Sequence, residues 1–586
     1  MAISMETCDH CHEEWFDLKV QGGICEKCRK SSKWQQSNNM YPGPGANHLP
    51  ELTQMEEMLI SPVHALIQLW QICGGQYKYT GHTCNFPRDN MVFHNTVPLL
   101  PEECDIIIMR RAGENAGSNE AVHQDFQVRR GAIQAWLQYL EVHHPTFRSR
   151  QVRVDYQRIN QLPENGLVHE RLRNIESQYL EDVFQDVGPP EAPDNHSEGQ
   201  NDPLYSAGFV PNMHDSRTEE EQLRQAAFNS GDPIILPMPS VCGTPISEYS
   251  GRYIAIDAFP TLFPTGEAAF EANCALKVDM KEWAVHLLRL RGGHFARHPR
   301  FRYWVLNTIM RQTAKTASNW YLHTHKEDRE LTVEDIRDMI EADDVKGLAD
   351  RVSHAGTKLP GSKPFWKDAQ QNLIAQIRAP DTGTPHVFFT CSSADIQWPD
   401  MHQHMPDYNI NDPEDATSYR TRMQNLNNNP ALAAYYFQKR WEVFFEEVIQ
   451  KKFDVKDFWW QYEWQHRGSS HVHGFLWLKD APSVDDFDCN NVEAVQNYIN
   501  FWDQHISTWH PDKDCPPAAI HPSARLFNTL NDTKQELAEI LNHLQRHTHC
   551  APGYCERKKK STGEIFCRFG YPKVLRENSE LAKDPG

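Results

Sequence analysis

The segment best equipped for chemistry reads Trp459-Trp460-Gln461-Tyr462-Glu463-Trp464-Gln465-His466-Arg467-Gly468-Ser469-Ser470-His471-Val472-His473-Gly474-Phe475-Leu476-Trp477-Leu478. Two aromatic-rich stretches flank a short polar turn, the pattern of a β-hairpin. Side chains alternate along a strand, so His471 and His473 share one face while Val472 turns to the other. If the connecting loop has an odd number of residues, for example His466-Arg467-Gly468, Glu463 lies on that same face across the hairpin. A carboxylate and two imidazoles converging on one point leave open positions on a divalent ion, where a phosphate oxygen can be held and polarised. Mg²⁺ or Mn²⁺ suits such phosphoester chemistry. A bare His-x-His pair is more often a hydrogen-bonded core feature than a pair of ligands; Glu463 is what turns the reading toward a metal.

Two further clusters have the spacing of zinc ligands. Cys8-x2-Cys11 and Cys25-x2-Cys28 place two thiolates on each of two short knuckles, the arrangement that closes a tetrahedral Zn²⁺ site. His10 and His12 are possible substitute ligands there. Near the end of the sequence, His547, Cys550, Cys555 and Cys567 supply four soft or borderline ligands around the basic run Arg557-Lys558-Lys559-Lys560. His549 or His543 are alternatives to His547 in that set.

The elements that must position these residues follow from pattern and composition. The 586-residue chain carries a formal net charge of -20 and 39% hydrophobic residues. That length implies several domains, and the balance excludes both a wholly disordered chain and a histone-like wrapper of nucleic acid. There is neither an eighteen-residue apolar run nor a signal-like start, so an intracellular protein is expected, with cysteines reduced and free for metal. Residues 1–40 are expected to form a zinc module ending at Tyr41-Pro42-Gly43-Pro44-Gly45, and residues 50–165 a mixed α/β accessory domain. From Glu176 to Glu221 acids far outnumber the single Arg217, and an acidic linker is expected over 166–240. Between Ala284 and Lys315 the balance reverses. Arg289, Arg291, Arg297, Arg300 and Arg302, interleaved with Phe295, Phe301, Tyr303 and Trp304, can be read as a channel for single-stranded DNA or as a basic helix with its aromatics in the core. Downstream, the order is strand (386–391), helix (430–452), strand (458–464), strand (471–478) and two helices (492–506 and 533–544), an α+β arrangement with antiparallel pairing. Phe437, Trp441, Phe444 and Val448 mark the expected buried face of the first helix.

Several separated stretches, in order, resemble the helicase-associated N-terminal region of Helitron rolling-circle transposases, which are HUH endonucleases. They are Ala258-Phe259-Pro260-Thr261-Leu262-Phe263-Pro264-Thr265-Gly266, Phe295-Ala296-Arg297-His298-Pro299-Arg300-Phe301, Phe388-Phe389-Thr390-Cys391-Ser392-Ser393-Ala394-Asp395, and Glu463 to Gly468 leading into His471-Val472-His473-Gly474. The resemblance covers roughly residues 240–586. It implies a five-stranded antiparallel sheet flanked by helices, with Glu463, His471 and His473 as metal ligands and Thr390 and Ser392 as supporting groups. It also implies nicking of single-stranded DNA by a tyrosine that becomes linked to a 5′-phosphate. The family's paired tyrosines have no counterpart after the histidines; Tyr498 is a weak candidate, so the chain is expected to stop before its nucleophile. No ATPase motif is present, since Ser362-Lys363 reverses the order that a phosphate-binding loop requires.

The expectation is therefore a multidomain α+β protein: zinc module, accessory domain, acidic linker, an HUH domain over 241–546 and a second Cys/His cluster over 547–586. Its function would be metal-dependent nicking and rejoining of single-stranded DNA, with Mg²⁺ or Mn²⁺ and Zn²⁺ as cofactors. A truncated or domesticated protein that only binds single-stranded DNA and zinc is the alternative. A cupin-like oxygenase fits less well, because there the carboxylate follows the histidine pair. The expected partners are single-stranded DNA and the intact transposase or its helicase part, with no membrane, in the nucleus of a eukaryote or otherwise inside the cell.

Overall fold

A hairpin and a short helix set the N-terminal cysteines. β1 (Met5–Thr7) pairs antiparallel with β2 (Glu14–Phe16), which puts Cys8 and Cys11 in the turn, and α1 (Glu26–Lys30) starts directly after Cys25 and carries Cys28. The computed structural model describes residues 4–65, 69–71, 77–79, 91–104, 107–111, 126–177, 245–246, 254–270, 275–325, 357–360, 362–379, 381–405, 418–464, 469–483, 488–525, 533–547, 550, 555–559, 562–574 and 576–581, with single positions at 335, 338 and 408. These described residues divide into two compact units, one up to residue 369 and one from residue 370.

In the first unit, α2 (Gln54–Ile60) is fixed at its start by a capping box between Thr53 and Glu56, and every residue from Met55 to Ile60 is buried. α3 (Arg130–His143) buries Ala132, Ile133, Trp136, Leu137 and Leu140, a single helical stripe. Around them Arg173–Ser177 pairs parallel with Ile107–Arg111, and Gly166–Leu167 pairs antiparallel with Gln127–Val128. Residues 166–167 and 173–177 are thus paired strand, with a 3-10 turn at His169–Arg171 between them, rather than the start of a linker; the remainder of the expected linker, 178–240, lies outside the described residues.

Three helices from farther along the sequence complete this unit: α4 (Ile254–Ala258), α5 (Met280–Leu288) and α6 (Pro299–Thr324). Their buried residues Trp283, Leu287, Phe301 and Trp304, with Phe259, Phe263 and Phe295 from the segments between them, join one apolar cluster with Cys8, Cys11, Cys25, Cys28, Met55, Leu59 and Leu137. The expected boundaries at residue 40 and residue 241 therefore do not separate compact units. Linear composition does not show which distant faces bury one another.

In the second unit, β3 (Val387–Ser392), α7 (Pro430–Phe444), β4 (Val455–Trp464) and β5 (Ser470–Leu478) appear in the expected order. The strands form an antiparallel sheet in the order β3-β5-β4, so β5 is central. Three strands, rather than five, make up this sheet among the described residues. α8 (Val492–His505) and α9 (Lys534–Leu544) follow, each capped by the side chain before it, Asn491 and Thr533. β6 (Glu556–Lys558) and β7 (Ile565–Cys567) close the unit as a small hairpin. No described helix is long and apolar enough to cross a membrane.

α7 packs on one side of the sheet through aromatic contacts: Trp441 on Phe389 at 5.4 Å, and the Phe445 ring on Trp460 at 4.4 Å and Phe458 at 4.8 Å. The stripe departs from the expected phase. Phe437 and Trp441 are buried, but Phe444 and Val448 are 46% and 42% exposed, while Phe445 and Ile449 take their places. The cause is a π-helical turn over Phe445–Ile449, whose extra residue per turn rotates the downstream face.

Gly474 shows how tightly the sheet is closed beside the histidines. A Cβ there would come within 2.6 Å of the Trp459 carbonyl oxygen and 2.4 Å of the Phe389 ring. Gly474→Ala is expected to destabilise the second unit by about 1–3 kcal/mol, the cost of overpacking. A urea midpoint equal to wild type would show that the strands part without penalty.

Candidate metal site on the central hairpin

The register of β4 and β5 decides which side chains meet. Glu463 is the cross-strand partner of His471, and Gln461 that of His473; on the other edge Ser392 faces His471 and Thr390 faces His473. Five residues, 465–469, join the strands. Direct opposition and two-residue alternation therefore bring Glu463, His471, His473, Thr390 and Ser392 to one face, and send Val472, Leu476 and Phe389 toward the α7 side.

On that face the Glu463 carboxylate lies 2.9 Å from His473 Nε2, and the two imidazole rings are 4.2 Å apart. His473 Nδ1 is buried without a hydrogen-bond partner among the described residues, and its ring stacks against Phe388 at 5.8 Å. His471 is 5% exposed, with Ser392 Oγ 2.9 Å from Nδ1 and the Thr390 hydroxyl at Nε2. Burial, reinforced by the neighbouring His473 and only partly opposed by Glu463, holds the His471 imidazole below its ordinary range. It is therefore neutral near pH 7, the form in which imidazole can donate a lone pair to a cation. The Glu463 side chain is 63% exposed, so the site opens to solvent on the carboxylate side.

Both cysteine clusters are gathered as their spacing predicts. The ligand atoms of Cys8, Cys11, Cys25 and Cys28 lie within 4.8 Å of one another, and so do those of His547, Cys550, Cys555 and Cys567. In the first cluster all four side chains are buried, with Cys11 Sγ 3.8 Å from Cys25 Sγ. Burial alone would raise the Cys8 thiol, but the backbone N–H groups of Cys25, Cys11 and His10 bring it down to about 7. Such N–H donors aimed at sulfur favour a thiolate. His12 instead packs on Tyr41 and His10 lies near Gln35, so neither substitutes for a cysteine. In the second cluster, His547 Nε2 lies 3.4 Å from Cys550 Sγ and 3.7 Å from Cys567 Sγ, and Cys555 and Cys567 flank the β6–β7 hairpin. His543 is occupied by the Ala518 carbonyl at 2.8 Å; His549 lies outside the described residues. Both donor sets could bind zinc.

The aromatics of the arginine-rich stretch lie in the core. Phe295, Phe301 and Trp304 are buried against Phe259 and Phe263. Arg300 is itself buried and pairs with Glu57, as does His298 at 2.7 Å, while Thr261 bonds the other carboxylate oxygen. Arg300 is therefore not placed to contact DNA: a guanidinium buried in the core needs an anionic partner, and Glu57 supplies it. Arg297 bonds the Gly292 carbonyl, Arg302 lies on Tyr303 and near the Ala296 carbonyl, and Arg289 lies over Trp15; Arg291 is exposed. Tyr498 sits half-buried on α8 with its ring 6.2 Å from Trp502.

Two buried polar groups were not evident from the sequence. One is the Glu57 hub. The other joins Glu13 to His286 Nδ1 at 2.6 Å, while His286 Nε2 meets the Met40 carbonyl at 2.7 Å. Glu13 and His286 lie 273 positions apart, beyond any local pattern.

Comparison with known proteins gives two family matches. Residues 28–160 match a domain of unknown function, DUF6570, which spans Glu57 and α3. No curated protein and no solved structure matches the chain. Residues 283–476, which include β3, β4 and β5 up to Leu476, match the family described as the Helitron helicase-like domain at the N-terminus, and the chain therefore carries a Helitron-like, transposase-related region.

Proposed function

We propose that this chain is the nicking part of a Helitron-like transposase, in which Glu463, His471 and His473 hold Mg²⁺ or Mn²⁺ against a phosphate of single-stranded DNA. The observation that carries the reading is the meeting of these three side chains on one face of the β4–β5 hairpin, inside the matched region. The donor types, one carboxylate and two imidazoles, are those a divalent ion takes, although their ligand atoms are not gathered within 4.8 Å of one another as those of the two cysteine clusters are. Burial holds the His471 imidazole below its ordinary range, His473 has a buried nitrogen without a hydrogen-bond partner among the described residues, and the exposed carboxylate leaves the outer side open. When bound, the cation supplies Lewis-acid polarisation of a phosphoryl oxygen. The chain's own residues fix the geometry: Ser392 and Thr390 hold His471, Phe388 braces the His473 ring, and Gly474 lets the strands close behind them. The attacking tyrosine hydroxyl is not assigned to a residue of this chain.

The test is incubation of single-stranded oligonucleotides with the zinc-loaded protein and Mn²⁺, comparing wild type with Glu463→Ala and His473→Ala. Mn²⁺-dependent strand cleavage or strand binding is expected in wild type, with a loss of at least about 10²-fold in either variant, the scale set by removing a group that stabilises transition-state charge. A covalent protein–DNA adduct would locate the nucleophile on this chain. Wild type and variants that behave alike with and without Mn²⁺ would overturn the reading.

A further inference from the structure

We propose that the β6–β7 hairpin beside the second cysteine cluster is a platform for single-stranded nucleic acid, with bases stacking on Phe566, Phe569 and Tyr571 and phosphates meeting the cations beside them. The hairpin lies outside both matched regions, and the proposal needs neither Glu463 nor the histidines of β5. On a chain of net charge -20, residues 555–574 hold six basic side chains against two acids. Register assigns the faces. Arg557 is the cross-strand partner of Phe566, while Glu556 opposes the buried Cys567, so the cation falls beside the ring and the acid on the cysteine side. Lys559 Nζ lies 5.8 Å from the centre of the Phe566 ring. In the turn that follows, the Arg568 guanidinium lies 4.5 Å over Phe569, and Lys573 Nζ 5.4 Å over Tyr571. Each of the three rings thus has a cation next to it. They are 40%, 41% and 41% exposed, whereas Phe437, Trp441, Phe445 and Trp477 of the same unit are buried. A ligand that alternates flat rings with negative charge satisfies both halves of each pair, and an unpaired strand has that repeat. Lys559 also pairs with Glu564 at 3.0 Å, but both are exposed, and so weak a tie yields to a phosphate. The cysteine cluster keeps the rings in place: Cys555 and Cys567 are buried at the ends of the hairpin, and Tyr571 stacks on His547 at 4.5 Å. Side chains able to hold zinc therefore also pre-order the platform, which lowers the cost of binding.

The test is a titration of the zinc-loaded full chain, with no Mn²⁺ added, against a labelled DNA strand, an RNA strand of the same sequence, the DNA duplex and phosphatidylserine vesicles. Wild type is expected to bind the single strands more tightly than the duplex. Stacking and phosphate pairing are common to DNA and RNA, so the tighter of the two strands names the source. Phe566→Ala is expected to weaken strand binding by about 5- to 150-fold, the worth of one stacked base. Phe566→Trp, which keeps a flat ring, should bind at least as well as wild type, and Phe566→Leu, apolar but without a flat face, should weaken like alanine. Lys559→Gln combined with Lys573→Gln alters only exposed side chains and should lower the slope of log affinity against log salt by about 0.7 for each charge removed. Wild-type affinity in Phe566→Ala at wild-type zinc content, full binding by Phe566→Leu, or an unchanged salt slope in the lysine variant would each overturn the platform. A preference for the duplex, or for vesicles over either strand, would overturn it too. The cation reading stands or falls separately, on the Mn²⁺ dependence of the Glu463 and His473 variants.

Discussion

Replacing Cys11 with serine is expected to unfold the first unit well beyond its cysteine loops. Structural zinc in small modules contributes about 10–16 kcal/mol of apparent binding free energy at neutral pH, and that energy is folding energy wherever the site is absent from the unfolded chain. Here the four cysteines are not a detachable finger. They belong to one buried cluster with Trp34, Met40, Trp283 and Leu287. Two residues after Cys11, Glu13 enters a fully buried pair with His286 on α5, with Lys27 beside it. The backbone adds to this: Glu14 N–H donates to the Arg289 carbonyl and Arg291 N–H to the His12 carbonyl. Without a zinc held by these four cysteines, the turn that presents Glu13 would be freed and His286 left buried without its carboxylate. Zinc content by mass spectrometry and tryptophan fluorescence on heating should show one zinc fewer and the loss of the first unit's cooperative transition. A full transition at the wild-type temperature in a variant that has lost that zinc would refute the coupling.

Glu57→Gln should carry the second large cost, about 3–5 kcal/mol, because it leaves Arg300 in the core without its counter-charge. The same carboxyl gives a pH signature. Burial alone would raise its pKa, but His298 and Arg300 beside it bring it down to about 2 from an ordinary 4.5. The folded value is lower than the unfolded one, so this contribution is fully present above about pH 4.5 and is lost as pH falls through about 2. Urea midpoints measured between pH 7 and pH 3 should fall for wild type and much less for the glutamine variant. Equal slopes in the two proteins, or equal midpoints at neutral pH, would remove Glu57 from its place as the hub.

What could be read from the sequence was what local pattern dictates. Strand alternation and the opposition of Glu463 to His471 follow from a two-residue period, and the cysteine clusters follow from ligand spacing. The face of α7 was misjudged below Trp441 because a π-turn changes the period without any proline or glycine to announce it. Arg300 was misjudged for a different reason. Its partner lies 243 residues earlier, so nothing near it in sequence shows that its charge is already neutralised. Two of the four stretches that resemble Helitron proteins prove to be a structural lock. Thr261 comes from one, His298 and Arg300 from the other, and all three close on Glu57 while Phe259 and Phe263 pack on Phe301 and Phe295.

The division at residue 369 also bears on which pieces of the chain can be moved as folded bodies. The Helitron match begins inside α5 and ends on β5, so its leading part belongs to one folded body and its histidines to another. A recombination event that carried the matched segment alone into a new gene would strand α6 without the surfaces that bury Phe301 and Trp304. A fragment that keeps the pair of histidines therefore either retains the upstream scaffold with the segment or parts with its first helices.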